Sequence, residues 1–346
     1  MQVNVEDTEK IESMPPSMLV SATYDNISKS AVLKFYEPKS QKLILWKDET
    51  GHKPYCYSRL APEELEFLRE RDDVLEIKTV QKYDLIKDKE IDMSKITVAD
   101  PLAIGGTAGD KSIRNIIETW ESDIKYYETY LYDRKLIVGK YYEIIDGKIK
   151  PHDLEISDEV KIALKSLLWD KVDSESMVDP EQFKKFISEW ADLLNQPIPK
   201  IKRLSVDIEV EAVVGRIPDP KVAEKKVTAI GLKGTDGFDQ IFVLKTEGTE
   251  EGNNELEKNI KIIFYDLDKE KEMIQDAFDI IKEFPFVITY NGDEFDLPYL
   301  YNRAERLGIK NSSNPLYMMR NSATLKQGVH IDLYRTFSNR AFQIYV

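Results

Sequence analysis

The sequence has little of what would make a disulfide, a zinc site or a membrane span. Cys56 is the only cysteine, so no intrachain disulfide can form, and a reducing interior is the compartment that suits the chain. The expected location is therefore the cytoplasm. Three histidines, His52, His152 and His330, lie far apart in the sequence, which disfavours a zinc site. Any metal is expected on carboxylates, and carboxylates favour magnesium or manganese. No apolar run approaches the ~20 residues that a membrane-spanning helix needs. The start, residues 1–18, is acidic and lacks the apolar stretch of a secretory signal; it reads as a flexible tail. A basic excess is missing too, since 49 Lys and Arg stand against 63 Asp and Glu, a net charge of −14. Taken alone, that balance argues against nucleic acid, because phosphate contacts come from lysine and arginine. The argument is limited: net charge averages over faces, and a carboxylate metal site must itself be acidic.

What is present divides the chain. At roughly 100–200 residues per domain, the length predicts two domains. Residues 19–149 read as a smaller mixed α+β domain. Its alternating runs LVSATY, AVLKFYE, KLILWK and PYCYS are separated by turn formers such as Asp25-Asn26 and Pro38-Lys39-Ser40. Pro62-Glu63-Glu64 opens a helix, VLEIKTVQKYDLI resumes strand character, and GGTAGD (Gly105–Asp110) is a loop. Ser112–Trp120 has helical spacing, and Asp123–Ile137 continues as a tyrosine-rich helix. Residues 150–199 read as a helical insertion and linker, with helices over Leu154–Trp169 and Pro180–Leu194 before Gln196-Pro197-Ile198-Pro199. Residues 200–346 have a clearer order. RLSVDIEV, KVTAIGLKG and FDQIFVLKT are strands, KEKEMIQDAFDIIKEF is a helix, PFVITYN a strand and DLPYLYNRAERLGI a helix. That is the core order of a ribonuclease H-like α/β fold, a mixed sheet flanked by helices.

Two acidic sites carry the chemistry. In Asp207-Ile208-Glu209, side chains two apart on a strand point to one face, while Val206, Ile208 and Val210 point to the other. The acidic pair is expected close to the core, where it would need a cation. By itself, D-x-E is better read as a solvated strand edge. The second site, Tyr290-Asn291-Gly292-Asp293-Glu294-Phe295-Asp296, follows a buried strand and opens a helix, where ligand sites in α/β sheets collect. In isolation, Asp296 reads as a helix N-cap, with Pro298 just inside the helix. Asn291 and Gly292 read equally as turn residues.

Taken together, the two sites have a specific order. VDIE, a strand meander, a helix and YNGDEFDLPYLYNRAERLGI resemble the first and second exonuclease motifs of family B DNA polymerases, in their archaeal and crenarchaeal branch. HIDLYRTF (His330–Phe337) resembles the segment before the third motif. HKPYCYS and DIKYYETYLYDRKLI are similar to amino-terminal-domain and linking segments of that family, so matching segments run from about Val20 to Phe337. The insertion at 150–199 is the exception.

The resemblance implies a replicative DNA polymerase with a 3′→5′ proofreading exonuclease. Asp207, Glu209 and Asp296 become metal ligands for two Mg2+ or Mn2+ ions astride the scissile phosphate. One ion activates a water and the other stabilises the leaving 3′ oxygen. Asn291, Phe295 and Tyr290 would bind the terminal nucleotide, with turn and core packing equally open for Asn291 and Phe295. Implied partners are single-stranded and primer-template DNA, the palm, fingers and thumb, and, through the whole protein, a sliding clamp or accessory subunits; the implied location is the nucleoid. Archaeal members resembling this chain bind template uracil, and Tyr24, Pro54 and Tyr55 fall at matching positions; packing of a small β core is an even alternative. Tyr126, Tyr127, Tyr130 and Tyr132 read either as base-stacking or as packing residues. The third motif, Y-x-x-x-D, is not found after HIDLY, so the chain is expected to be the front of a longer polymerase, with no polymerase and weak or no exonuclease activity. Tyr142–Asp146 fits the spacing by coincidence, and Asp332 matches a structural position. Two other readings stay open: a free-standing 3′→5′ exonuclease of the same acidic set, and a non-catalytic nucleic-acid-binding module.

Overall fold

The computed structural model describes residues 11–106, 111–152, 158–159, 162–163, 166, 181–185, 199–212, 217–247, 249, 260–318 and 322–339. The chain forms two compact units that interleave in sequence. Leu19–Phe35 and Leu45–Gly139 make up the first; Glu12–Met18, Tyr36–Ile44 and the chain from Lys140 on make up the second. These compact units do not coincide with the expected limits at 18/19, 149/150 and 199/200. Tyr36 shows the physical reason: its hydroxyl donates to Lys200 O (2.9 Å) and accepts from Lys202 N (3.0 Å), and its ring meets Phe286 edge-on. These contacts hold the 36–44 segment to the later chain.

The chain begins with β1 (Ser13–Asp25), β2 (Ser30–Glu37) and β3 (Lys42–Lys47). In the first unit, β4 (Tyr55–Ser58), β5 (Val74–Asp84) and β6 (Lys89–Val98) form a three-stranded antiparallel sheet with β6 in the middle. β6 escapes sequence reading because DKEIDMSKI is mostly polar. It is held by ladder bonds to both neighbours, in register with β5 from Asp84↔Lys89 to Val74↔Val98. One face of the sheet buries Cys56, Ile77 and Ile96 against Leu65, Leu68 and Ile113. The other buries Tyr55, Tyr57 and Met93, with Trp120 bonded to the Tyr57 backbone at 2.8 and 3.0 Å. The three expected helices of this unit are shorter than their spacing predicts, Glu66–Arg69, Ile113–Ile116 and Tyr126–Asp133, and a further short one, Pro101–Ile104, is not among those the sequence predicts.

In the second unit, the expected flexible tail is corrected in part. Residues 1–10 lie outside the described residues, but Ser13–Met18 is strand. It pairs antiparallel with β7 (Tyr141–Ile145), from Ser13↔Ile145 to Met18↔Tyr141. The register shifts between Met14 and Ser17, where Pro15 and Pro16 offer no N–H to the ladder. β7 returns as β8 (Lys148–Pro151) through Asp146 and Gly147, whose φ values of 51° and 70° suit a two-residue hairpin turn. The two helices expected over 150–199 lie mostly outside the described residues; residues 158–159, 162–163, 166 and 181–185 are helical.

The main sheet is six-stranded and mixed. It contains β9 (Arg203–Val210), β10 (Val227–Gly234), β11 (Asp239–Leu244), β12 (Lys261–Tyr265) and β13 (Phe286–Thr289). After β14 (Leu316–Met318) and β15 (Ala323–Leu325), which pair only with each other, β16 (Val329–Asp332) completes it in the order β12-β11-β10-β9-β13-β16. β9–β10 and β10–β11 are antiparallel, while β11–β12, β9–β13 and β13–β16 are parallel. The helices Glu270–Lys282 and Asp296–Arg306 pack on one face, sharing a core that includes Val206, Ile208, Phe242, Phe278, Leu297 and Leu300. This is the expected ribonuclease H-like architecture of a mixed sheet and helices, with two strands more, β12 and β16, than the sequence pattern predicts.

A buried ion pair ties these helices together. Glu270, 3% exposed, takes Arg303 Nε and Nη2 on its two oxygens at 2.8 and 2.6 Å and also accepts from Val227 N. Arg303 Nη1 donates to Ala223 O and Glu224 O. Arg303→Met leaves Glu270 charged and buried without its cation, and is expected to cost about 3–5 kcal/mol of stability. Urea unfolding followed by circular dichroism checks this; the double variant with Glu270→Leu should recover much of the loss.

Candidate functional site

The alternation of β9 sets out the first two carboxylates. Leu204, Val206 and Ile208 are buried on one face, whereas Ser205, Asp207 and Glu209 are exposed on the other. The pair is therefore not near the core, contrary to expectation; a period of two carries it to the open face. Its cross-strand neighbours on β10 are small, Gly231 opposite Asp207 and Ala229 opposite Glu209. A 470 Å³ cavity opens beside Asp207, lined by Ser205, Asp207, Gly231, Lys233 and Tyr290 among others; Glu209 and Asp296 are not part of its lining.

The third carboxylate comes from the helix after β13. Asp296 is the first helical residue, behind an N-cap at Phe295 that makes no side-chain cap bond. The cap reading of Asp296 is thus corrected. Its Oδ1 instead accepts from Ile208 N at 3.1 Å, the backbone N–H that lies between Asp207 and Glu209. That one bond brings the three predicted acids to a single stretch of β9. Asp296 is 5% exposed, and its pKa is pushed up to about 6, first by burial and then by the negative charges of Asp207 and Asp332, against the pull of Ile208 N–H. Among the described residues, no group of three or more His, Cys, Asp or Glu is clustered so that it could hold a metal ion. By donor chemistry the three carboxylates fit hard divalent cations. The repulsion that raises Asp296 is also what such a cation would relieve.

The turn that delivers Asp296 is held from outside. Asn291 has φ +61°, and a Cβ on Gly292 would come within 2.4 Å of the Thr289 side chain, so only glycine fits there. Asp332, 7% exposed, accepts from Asn291 N (3.0 Å), Asp293 N (2.9 Å), Tyr334 N (2.8 Å) and Arg335 N (3.3 Å). Burial pushes its pKa up, but these N–H groups outweigh burial and hold it below the usual carboxylate range. His330 lies between Thr289 Oγ1 (2.8 Å) and Asp293 Oδ1 (3.0 Å), and Arg335 Nε meets Asp293 Oδ2 at 2.6 Å. Of the predicted nucleotide contacts, Asn291 offers its backbone to this network, Phe295 packs on the core beside Tyr299, and Tyr290 is exposed, edge-on to Tyr334. Sequence reasoning missed His330, Asp293 and Arg335. The available signal was the spacing of His330 and Asp332, two apart on one strand face.

Tyr24, Pro54 and Tyr55 line one cavity of the first unit, about 410 Å³, together with Asp100, Arg114 and Tyr126. The Tyr24 hydroxyl is buried without a hydrogen-bond partner, and burial, then Asp100 and Asp25, push its pKa up to about 12. The Tyr55 hydroxyl is already used, donating to Asp133 at 2.9 and 3.0 Å. Residues 107–110 of the GGTAGD loop lie outside the described residues. Of the four tyrosines, Tyr126 and Tyr130 are buried beside His52, Tyr127 borders the cavity and Tyr132 is exposed.

A raised acid pKa penalises folding where the group must ionise. Without divalent ions, the stability of the second unit is expected to fall as pH rises from about 4 to about 6, by up to about 3 kcal/mol, and then to level off. Asp296→Asn should remove that fall and raise metal-free stability at pH 7. Urea midpoints across this range, in chelator, check both statements.

The chain is similar to known proteins. Residues 117–343 match the family described as DNA polymerase family B, exonuclease domain. The chain is 33% identical over 349 aligned residues to DNA polymerase 1 of Sulfolobus acidocaldarius, covering 99% of this chain and 38% of that protein. It is 32% identical to DNA polymerase 1 of Aeropyrum pernix, covering 94% of this chain and 34% of the relative. The solved family B DNA polymerase of Pyrobaculum calidifontis superposes with a TM-score of 0.58 at 16% identity, over 93% of this chain and 37% of that one, and so shares the fold. The chain thus spans little more than a third of the relatives it matches. On the profile match and the two-motif geometry together, the chain belongs to the DNA polymerase B family, in its archaeal branch, and carries that family's exonuclease domain.

Proposed function

We propose that the second unit carries most of a 3′→5′ proofreading exonuclease site, of the kind that removes nucleotides from the 3′ end of DNA by phosphodiester hydrolysis, with Asp207, Glu209 and Asp296 as its metal ligands and with weak or no activity in this chain, where the third motif is not found. The observation that carries this reading is the 3.1 Å bond from Ile208 N to Asp296 Oδ1, which joins a buried acid to the strand that bears two exposed ones. Two Mg2+ or Mn2+ ions held there would make water a nucleophile at neutral pH and take up charge on the departing 3′ oxygen. The protein's own part is to hold Asp296 desolvated and to leave space beside Asp207, where β10 offers only Gly231. Tyr290, exposed beside Tyr334, is available to stack on a base at the rim. As part of a replicative polymerase the chain would work inside the cell on single-stranded and primer-template DNA, with palm, fingers and thumb and with clamp or accessory subunits.

The expected result is that the chain binds Mn2+ and that Asp207→Ala and Asp296→Ala weaken binding at least about 10-fold, as loss of a ligand should. Mn2+-dependent trimming of 3′-ended single strands is expected to be weak or absent; rapid trimming by this chain would overturn that expectation. A chain whose Mn2+ binding is indifferent to both substitutions refutes the site.

For the first unit, the reading is that its cavity admits a flipped template uracil. The unused Tyr24 hydroxyl supports this, as a buried donor in want of an acceptor, with Pro54 and Tyr55 as a rigid wall against the thymine methyl group. Uracil-containing oligonucleotides should bind about 10-fold or more tighter than thymine-containing ones. Equal affinities in a fluorescence titration end the hypothesis.

A further inference from the structure

We infer that Asp332 is a positioning residue for the metal centre: it fixes the turn between β13 and the Asp296–Arg306 helix, and through that turn the placement of the Asp296 carboxylate. The inference rests on the metal-ligand reading above and adds to it a residue that contacts neither metal nor substrate. Asp332 ends β16, whose register sets it beside Thr289, the last residue of β13. From there its carboxylate takes two N–H groups of the turn, Asn291 and Asp293, and two at the start of the Leu333–Ser338 helix, Tyr334 and Arg335. With both oxygens engaged by the backbone, Asp332 serves as a staple and has no need of a cation.

The turn transmits that grip. Glu294 N and Phe295 N return to Asn291 O at 3.3 Å each, and Leu297 N bonds Gly292 O at 3.0 Å. Asn291, which Asp332 holds, is thereby bonded to Phe295 just before Asp296, and its chain neighbour Gly292 to Leu297 just after it. A second anchor acts on the same turn, since Asp293 is gripped by His330 Nδ1 on one oxygen and by Arg335 Nε on the other. His330, 3% exposed at its side chain, is itself seated on Thr289 Oγ1. β16 and the helix after it thus supply a bracket for the turn. Groups that orient a ligand from behind commonly change metal affinity when they are removed, even though they do not touch the metal.

The test is Mn2+ binding by the whole chain, read by electron paramagnetic resonance, with thermal unfolding measured alongside. Asp332→Asn keeps size but replaces one acceptor oxygen by an NH2 that faces backbone N–H groups. It is expected to weaken Mn2+ binding about 10–100-fold at temperatures well below its unfolding midpoint. Arg335→Gln, at a side chain 58% exposed, should fold normally and weaken binding in the same direction by a smaller factor. It decides the matter if Asp332→Asn does not fold. Should both variants lose only thermal stability and keep wild-type Mn2+ affinity while Asp207→Ala loses it, the positioning role is wrong and the metal centre stands. A wild-type chain that binds no Mn2+ removes the metal centre, and this inference with it.

Discussion

The bond between Ile208 N and Asp296 Oδ1 is the contact on which the second unit's site depends. It is an ordinary backbone-to-carboxylate hydrogen bond, but it sets a buried acid between two exposed ones on the same strand. A buried carboxylate with only the Ile208 N–H and its own as donors, and with Asp207 and Asp332 as anionic neighbours, is poorly compensated, which is why Asp296 resists ionisation. The surrounding fold is rigid enough to hold that unfavourable arrangement. The helix that carries Asp296 is pinned by Arg303 to Glu270 and the Ala223–Glu224 backbone, and the turn before it is pinned by Asp332.

Three buried acids of this unit show the contrast. Glu270 is given a guanidinium and a backbone N–H. Asp332 is given four backbone N–H groups. Asp296 is given Ile208 N–H and the charge of Asp207. All three are almost fully withdrawn from solvent, so burial alone does not distinguish them. Compensation does, and the poorly compensated member is the one bonded to the strand that bears Asp207 and Glu209. Perturbed acids mark functional sites for this reason: stability is given up where an external cation is to complete the charge balance.

The acidic balance of the chain is consistent with that economy. In the first unit, several cations are spent on aromatic rings, Arg59 over Trp120, Lys82 over Tyr57 and Lys95 over Tyr55. These bases roof the tyrosines of the three-stranded sheet. The cavity of this unit is of a different kind: its Tyr24 hydroxyl is buried and idle, a polar group awaiting a partner.

Local pattern alone determined much of this protein. The alternation of RLSVDIEV committed Asp207 and Glu209 to one face and Ile208 to the other, and the amphipathic spacing of the two long helices announced their buried stripes. The motif order announced the family. Short or polar elements were not legible: β6, β12 and the β7–β8 hairpin are held by ladder partners far along the chain, which no local window contains. The depth of each acid was not legible either, since Asp207 and Glu209 were expected near the core and are exposed, while Asp296 looked like a helix cap and is buried against β9. Spacing could put Asp332 and His330 on one strand face, but not show which turn they brace. Periodicity fixes which way a side chain leaves its own strand or helix; only tertiary packing decides which neighbour closes over it, and burial, partners and charge follow from that neighbour.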